Sequence, residues 1–145
     1  MIDYKKLAGK NIVDLVPYQP GKPIKELERE LGIKKAVKLA SNENPLGIPE
    51  KAKKAIIDNL DEMNRYPLGD AYYLREKLAN KLSVKKEELI FGTGSNEIIE
   101  LLIRTFVKDG ETVLSYAPSF SVYGIIAQAA GSRCEWVKMK DGFEV

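Results

Sequence analysis

No histidine occurs among the 145 residues, and that absence removes Ser-His-Asp and Cys-His catalysis, histidine general bases and histidine metal sites. The single cysteine, Cys134, allows no intrachain disulfide and no thiolate metal cluster. It reads as a small buried hydrophobe near a strand rather than a nucleophile. No apolar run reaches the roughly 18 residues of a membrane span, because Asp, Glu or Lys cuts the long candidates. The start, Met1-Ile2-Asp3-Tyr4-Lys5-Lys6, lacks the apolar stretch of a secretory signal, so a cytoplasmic protein is expected. Nor does one sign of charge dominate. The 23 basic and 21 acidic residues are well mixed and give a net charge of +2, with no basic stripe of the kind nucleic acid requires. What remains is a chain with 44% hydrophobic and 30% charged residues, which sets disorder aside and suffices for a compact core. Its chemistry must fall to Lys, Tyr, Ser, Asp or Glu, or to a cofactor.

Residues 1–23 read as an arm. Pro17, Pro20 and Pro23, with Gly21, disfavour regular helix and predict an extended path over a surface. A short helix follows over residues 24–31, where Ile24, Leu27 and Leu31 share a face and Gly32 supplies the stop. Residues 37–40 alternate like a short strand, and the polar run 41–47 (Ser-Asn-Glu-Asn-Pro-Leu-Gly) breaks all periodicity. Two amphipathic helices are predicted next. The first, from Pro49 to about Leu60, carries Ala52, Ala55, Ile56 and Leu60 on one face. The second, from about Ala71 to Leu82, repeats Leu74, Leu78 and Leu82. Residues 64–69, Asn-Arg-Tyr-Pro-Leu-Gly, separate them.

The last third changes character. Residues 88–91 read as a strand, 98–106 as a helix apolar on most of its circumference, and 112–115 as a second strand. A second helix over 119–130 and a third strand over 133–137 complete the pattern. Strands alternating with helices predict an α/β fold with βαβ units and a mostly parallel sheet. Such sheets are normally covered on both faces, and three strands make a small one, so the chain is expected to be the opening portion of a larger protein.

Gly92-Thr93-Gly94-Ser95-Asn96-Glu97 lies between predicted strand and helix, where backbone N–H groups converge and the helix dipole favours an anion. It is neither G-x-G-x-x-G nor a P-loop, and by itself it fits a phosphate cradle and an ordinary capped turn about equally. Tyr116 to Tyr123 follows the second strand and emerges at the same carboxyl edge, where open α/β sheets take ligands. Tyr123 there fits either a cover for a flat heteroaromatic ring or a core tyrosine on a neighbouring helix.

Taken together, Tyr18-Gln19-Pro20-Gly21-Lys22-Pro23, Leu39 to Pro45, Arg65-Tyr66-Pro67, the 92–97 loop and Pro118 to Tyr123 resemble the successive signatures of the histidinol-phosphate aminotransferases. The order and approximate spacing agree, over essentially the whole chain. The resemblance implies a fold-type-I enzyme using pyridoxal 5′-phosphate (PLP) to move an amino group between glutamate and imidazole-acetol phosphate in histidine biosynthesis. It implies that Ser95, Asn96 and Glu97 hold the cofactor phosphate and that Tyr123 stacks on the pyridine ring. It implies further that Tyr66 reaches the cofactor phosphate of a partner subunit in a homodimer with shared sites, and that Tyr18, Asn42 and Asn44 help enclose the substrate. Plainer roles stand beside these: Tyr66 as a turn aromatic before Pro67, and Tyr18 as a staple for the arm.

On this reading residues 1–35 form the arm and short helix, 36–87 the small-domain or connecting helices, and 88–145 the incomplete start of the large PLP-binding domain. The resemblance places the Schiff-base lysine, the groups addressing the pyridine ring and the substrate arginine further along. No lysine here sits in a matching motif, so none is assigned as catalytic, no metal is called for, and the chain alone is expected to be inactive. Two other readings remain. One is a different fold-type-I PLP enzyme, such as a threonine-phosphate decarboxylase or an aromatic aminotransferase. The other is a non-catalytic phosphate- or nucleotide-binding α/β module.

Overall fold

The computed structural model describes residues 2–142 and 144. The chain divides into two compact units, one built from Met1–Gln19 with Glu87–Val145 and the other from Pro20–Lys86. The first 19 residues thus join the later segment, whereas the sequence groups them with the helix at 24–31.

In the first unit, α1 (Tyr4–Leu7) and α2 (Lys10–Val13) open the arm. The arm was expected to be extended throughout. The prolines begin only at Pro17, however, and Asp3 caps the first turn by accepting from Lys5 N at 3.2 Å. Residues 15–19 carry no helix or strand.

The chain returns to this unit at residue 87. Residues 88–91 were expected to be a strand, and the structure corrects this: Lys86–Glu88 is a 3-10 turn and residues 89–92 are irregular. A strand is defined by its ladder, and the sheet among the described residues contains only β1 (Thr112–Ala117) and β2 (Arg133–Lys138). These two run parallel, in register from Thr112 opposite Arg133 to Ala117 opposite Lys138.

Between them α7 (Val122–Ala129) makes the crossover a parallel pair needs, and it packs on both strands and on α6 (Ser95–Phe106). The helix expected from Ser119 starts at Val122, and Gly131 closes it at φ +84°. The core sits at this junction. Ala127 is fully buried, Val122 and Ile103 nearly so, and small Ala127 lets α7 lie close to its neighbours. Trp136 of β2 packs against α7 at Gly124, where an added Cβ would stand 3.0 Å from its ring.

The second unit is helical. In it α3 (Ile24–Leu31) ends at Gly32 in the left-handed conformation, as the sequence predicts. Beyond it, Glu28 accepts from Ala36 N at 3.1 Å and pairs with Lys25 at 3.3 Å, folding the chain back on α3. Residues 37–40 form no strand: the period-2 pattern is there, but Val37 and Leu39 are 82% and 91% exposed and no ladder forms in this unit among the described residues.

Next come α4 (Glu50–Asp58) and α5 (Tyr72–Leu82), separated by a 3-10 turn at Leu60–Glu62. Pro49 serves as the N-cap of α4 rather than its first helical residue, its carbonyl accepting from Ala52 N and Lys53 N. Ala79 on α5 is buried. Among the described residues no helix is long and apolar enough to cross a membrane, and no cluster of three His, Cys, Asp or Glu side chains is disposed to hold a metal.

Candidate functional site

The 92–97 loop is built by two glycines with different duties. Gly94 takes φ +99° and ψ 176°, a region essentially restricted to glycine, and it is the N-cap of α6. Gly92 is closely approached instead: an added Cβ would meet Ile98 Cδ1 at 2.9 Å and Glu97 Oε2 at 3.0 Å. Between them, Thr93 donates its backbone N–H and its hydroxyl to Glu97 Oε2, at 2.5 and 2.9 Å. These bonds, the backbone one foremost, hold the Glu97 carboxyl below its usual range. The loop is thereby latched onto the first turn of its own helix.

This arrangement fits a phosphate group. The opening turn of α6 has N–H groups without intrahelical acceptors, and the helix dipole adds partial positive charge there. Ser95 and Asn96 add a hydroxyl and a side-chain amide on an exposed surface. The Glu97 carboxylate, the one anion in this turn, is turned back onto Thr93.

Asn96 and Glu97, with Thr93 and Glu100, line one side of a cleft of about 450 Å³, and Tyr18 with Val122, Ile125 and Ile126 line the remainder. The arm and the helix terminus thus meet at one site. Glu100 is engaged by Arg104 Nε at 2.7 Å. Tyr123 lies in the first turn of α7, half-buried, and does not line this cleft. It is linked to Tyr18 through Phe120, whose ring meets both edge-on. Phe120 carries no role in the sequence reading; its placement three residues before Tyr123 was the available signal.

The other candidates belong to the second unit. Asn44 closes its own loop, its Oδ1 accepting from Leu46 N at 3.0 Å and its Nδ2 donating to Gly47 O at 3.1 Å. Asn42 is exposed, and Lys38 pairs with neighbouring Glu43 at 2.9 Å. Tyr66 is fully exposed and lines a cleft of about 860 Å³ with Met63, Leu68, Tyr72, Tyr73 and Leu74. Cys134 on β2 is partly buried, which raises its thiol pKa and makes it a poor nucleophile.

A parallel βαβ unit, with the N-terminus of α6 following a glycine-bearing loop, defines an α/β protein. The chain belongs to the aminotransferase class I and II family, whose profile matches residues 34–145. It is 41% identical over 140 residues to histidinol-phosphate aminotransferase 2 of Haemophilus influenzae, covering 97% of this chain and 38% of that protein. It is 49% identical over 131 residues to histidinol-phosphate aminotransferase of Desulfotalea psychrophila, covering 90% of this chain and 35% of that one. The chain therefore spans little more than a third of the curated relatives it matches.

Among solved structures, histidinol-phosphate aminotransferase from Sinorhizobium meliloti in complex with pyridoxal-5′-phosphate superposes with a TM-score of 0.76 at 22% identity, over 92% of this chain and 36% of that one. Aspartate aminotransferase from Thermotoga maritima superposes at 0.73 and 15% identity, over 93% of this chain and 38% of that one. At those identities the likeness establishes the fold, the PLP-dependent aminotransferase fold expected from the sequence.

Proposed function

We propose that the complete protein is a PLP-dependent transaminase that exchanges an amino group between glutamate/2-oxoglutarate and histidinol phosphate/imidazole-acetol phosphate in histidine biosynthesis. The sequence relatives support this choice of substrate, and one structural observation supports the cofactor: the latched 92–97 loop, with Ser95 and Asn96 exposed at the start of α6.

When bound, PLP supplies an electron sink that lets bonds at the amino-bearing carbon break. This chain's residues bind and orient. The first-turn amides of α6, with Ser95 and Asn96, would hold the phosphate, and Glu97 would fix the loop through Thr93. Tyr123 would cover one face of the pyridine ring and exclude water from it. Tyr18 and the 41–47 loop, with Asn42 exposed and Asn44 holding the loop's shape, would enclose the substrate. Tyr66 would reach the cofactor phosphate of a second subunit in a homodimer. The groups that move protons and bind the substrate's charges are assigned to the remainder of the protein, and residues 88–145 to the start of its PLP-binding domain.

The test is an assay of the complete enzyme with histidinol phosphate and 2-oxoglutarate, following glutamate. Glutamate formation supports the reading; carbon dioxide release from threonine phosphate, without transamination, would replace it by the decarboxylase.

A further inference from the structure

Tyr18 and Tyr123 are far apart in the chain, yet a single ring stands between them. The Phe120 centroid lies 5.7 Å from that of Tyr18 and 6.1 Å from that of Tyr123, at interplanar angles of 78° and 85°. Both are edge-to-face contacts, in which the positive edge of one ring meets the negative face of the other. Such a contact sets the plane of a ring and not merely its position. Phe120 also holds the start of α7 through its backbone, accepting from Tyr123 N at 3.3 Å.

The arm that carries Tyr18 is fastened along the same helix. Asn11 Nδ2 donates to Ala129 O at 2.7 Å, and Gln128 Nε2 donates to Asn11 O at 3.3 Å, at the C-terminal end of α7. Val16 lines a cleft with Ser121, Gly124, Ile125 and Gln128 along its length. The arm is thus strapped along α7 from its last turn to Phe120, two residues before its first, and Tyr18 on Phe120 is the fastening nearest Tyr123. Tyr18 is 46% and Phe120 36% exposed, so this junction is at the surface and separable from the core.

We propose that Phe120 is a positioning residue: it transmits the seating of the arm to Tyr123, so that an arm residue controls how firmly Tyr123 covers the pyridine ring of the bound cofactor. This rests on the reading of Tyr123 as the cofactor's ring cover. It makes enclosure by the arm and retention of the cofactor two expressions of one coupled element.

The test uses the complete enzyme and two readouts independent of turnover. The first is the dissociation constant for PLP without substrate, and the second is the rate of chymotryptic cleavage after Leu15 in the apoenzyme. Phe120→Leu, which keeps bulk but loses the ring, is expected to weaken PLP binding roughly 3- to 10-fold and to speed arm cleavage by a similar factor. Phe120→Tyr is expected to restore both to within about 2-fold of the parent, which a merely space-filling role would not require. Tyr18→Leu is expected to weaken PLP binding roughly 3- to 10-fold in the parent and less than about 2-fold once Phe120 is already Leu.

Equal weakening by Tyr18→Leu in both backgrounds overturns the coupling, as does PLP binding unaltered by Phe120→Leu. A parent enzyme that binds no PLP refutes the proposed function instead. Cleavage of the arm then decides whether Phe120 seats it, and an unchanged rate in Phe120→Leu overturns the proposal.

Discussion

The carboxylate of Glu97 reaches back four residues and accepts both hydrogen bonds that Thr93 has to give, from its backbone N–H and from its hydroxyl. The anionic form is the one these bonds favour, and the Glu97 pKa is lowered, chiefly by the backbone bond and then by the hydroxyl. A carboxyl whose folded pKa is depressed contributes stability that is present above its unfolded pKa and is lost as pH falls through the folded value. Thr93→Val removes the lesser bond only. It should move the Glu97 titration midpoint part of the way back up, so that the acid loss is smaller and is complete at a higher pH. A carboxyl-carbon NMR titration checks this, and a midpoint that stays put would refute the latch.

The two glycines of the loop should respond unequally. Gly94→Ala forces a side chain into a backbone region that only glycine occupies readily, a strain of about 1–3 kcal/mol. Gly92→Ala carries no such backbone strain: it crowds the Ile98 side chain and the Glu97 Oε2 that Thr93 holds, so its cost is confined to shifting side chains. Thermal denaturation should rank Gly94→Ala as the more destabilised, and PLP retention should fall in the same order.

In the 41–47 loop the two asparagines should separate stability from substrate affinity. Asn44 makes two bonds that shape the loop, so Asn44→Ala should destabilise by about 1–3 kcal/mol, from roughly 0.5–1.5 kcal/mol per bond. Asn44→Asp keeps the acceptor for Leu46 N and should recover about half of that. Asn42 is exposed, and Asn42→Ala should leave denaturation unaltered while raising KM. A KM that does not move would remove Asn42 from the substrate site.

Gly124 faces Trp136 at a distance that a methyl group can barely enter. Gly124→Ala gains about 1 kcal/mol of helix propensity, which offsets most of the crowding. Gly124→Leu gains nearly the same propensity but overpacks the space against Trp136, and should cost about 1–3 kcal/mol by pushing α7 off β2. Urea midpoints of the two variants should therefore differ clearly, with the alanine variant close to the parent.

Tyr66 projects fully into solvent from the second unit, beside the cleft lined by Met63, Leu68 and Tyr72. If it serves a partner's site, two inactive full-length variants should complement each other on mixing, one Tyr66→Ala and the other lacking the Schiff-base lysine. One site in each mixed dimer then regains both groups, so about half of a dimer's activity returns in that species. Mixed dimers that form and stay inactive would assign Tyr66 a role within its own chain.

Local periodicity by itself determined the longer helices, whereas α1 and α2 fall in the arm that the sequence reads as extended. Residues 24–31 alternate around one face and meet Gly32, so the helix and its left-handed stop follow from nearest-neighbour geometry. The same holds for α5, α6 and α7, and for the 92–97 turn ahead of α6. Strands were legible only where a partner exists. Residues 112–117 and 133–138 pair, whereas 37–40 show the same alternation without forming a ladder, because a strand's hydrogen bonds are made by a neighbour that its own residues do not specify. The motif also marked Glu97 and Tyr123 without revealing how each is held. Tertiary structure turned Glu97 onto Thr93, laid the arm along α7 and put Phe120 between two tyrosines. These are contacts between side chains brought together by packing, and packing depends on where the chain returns in space.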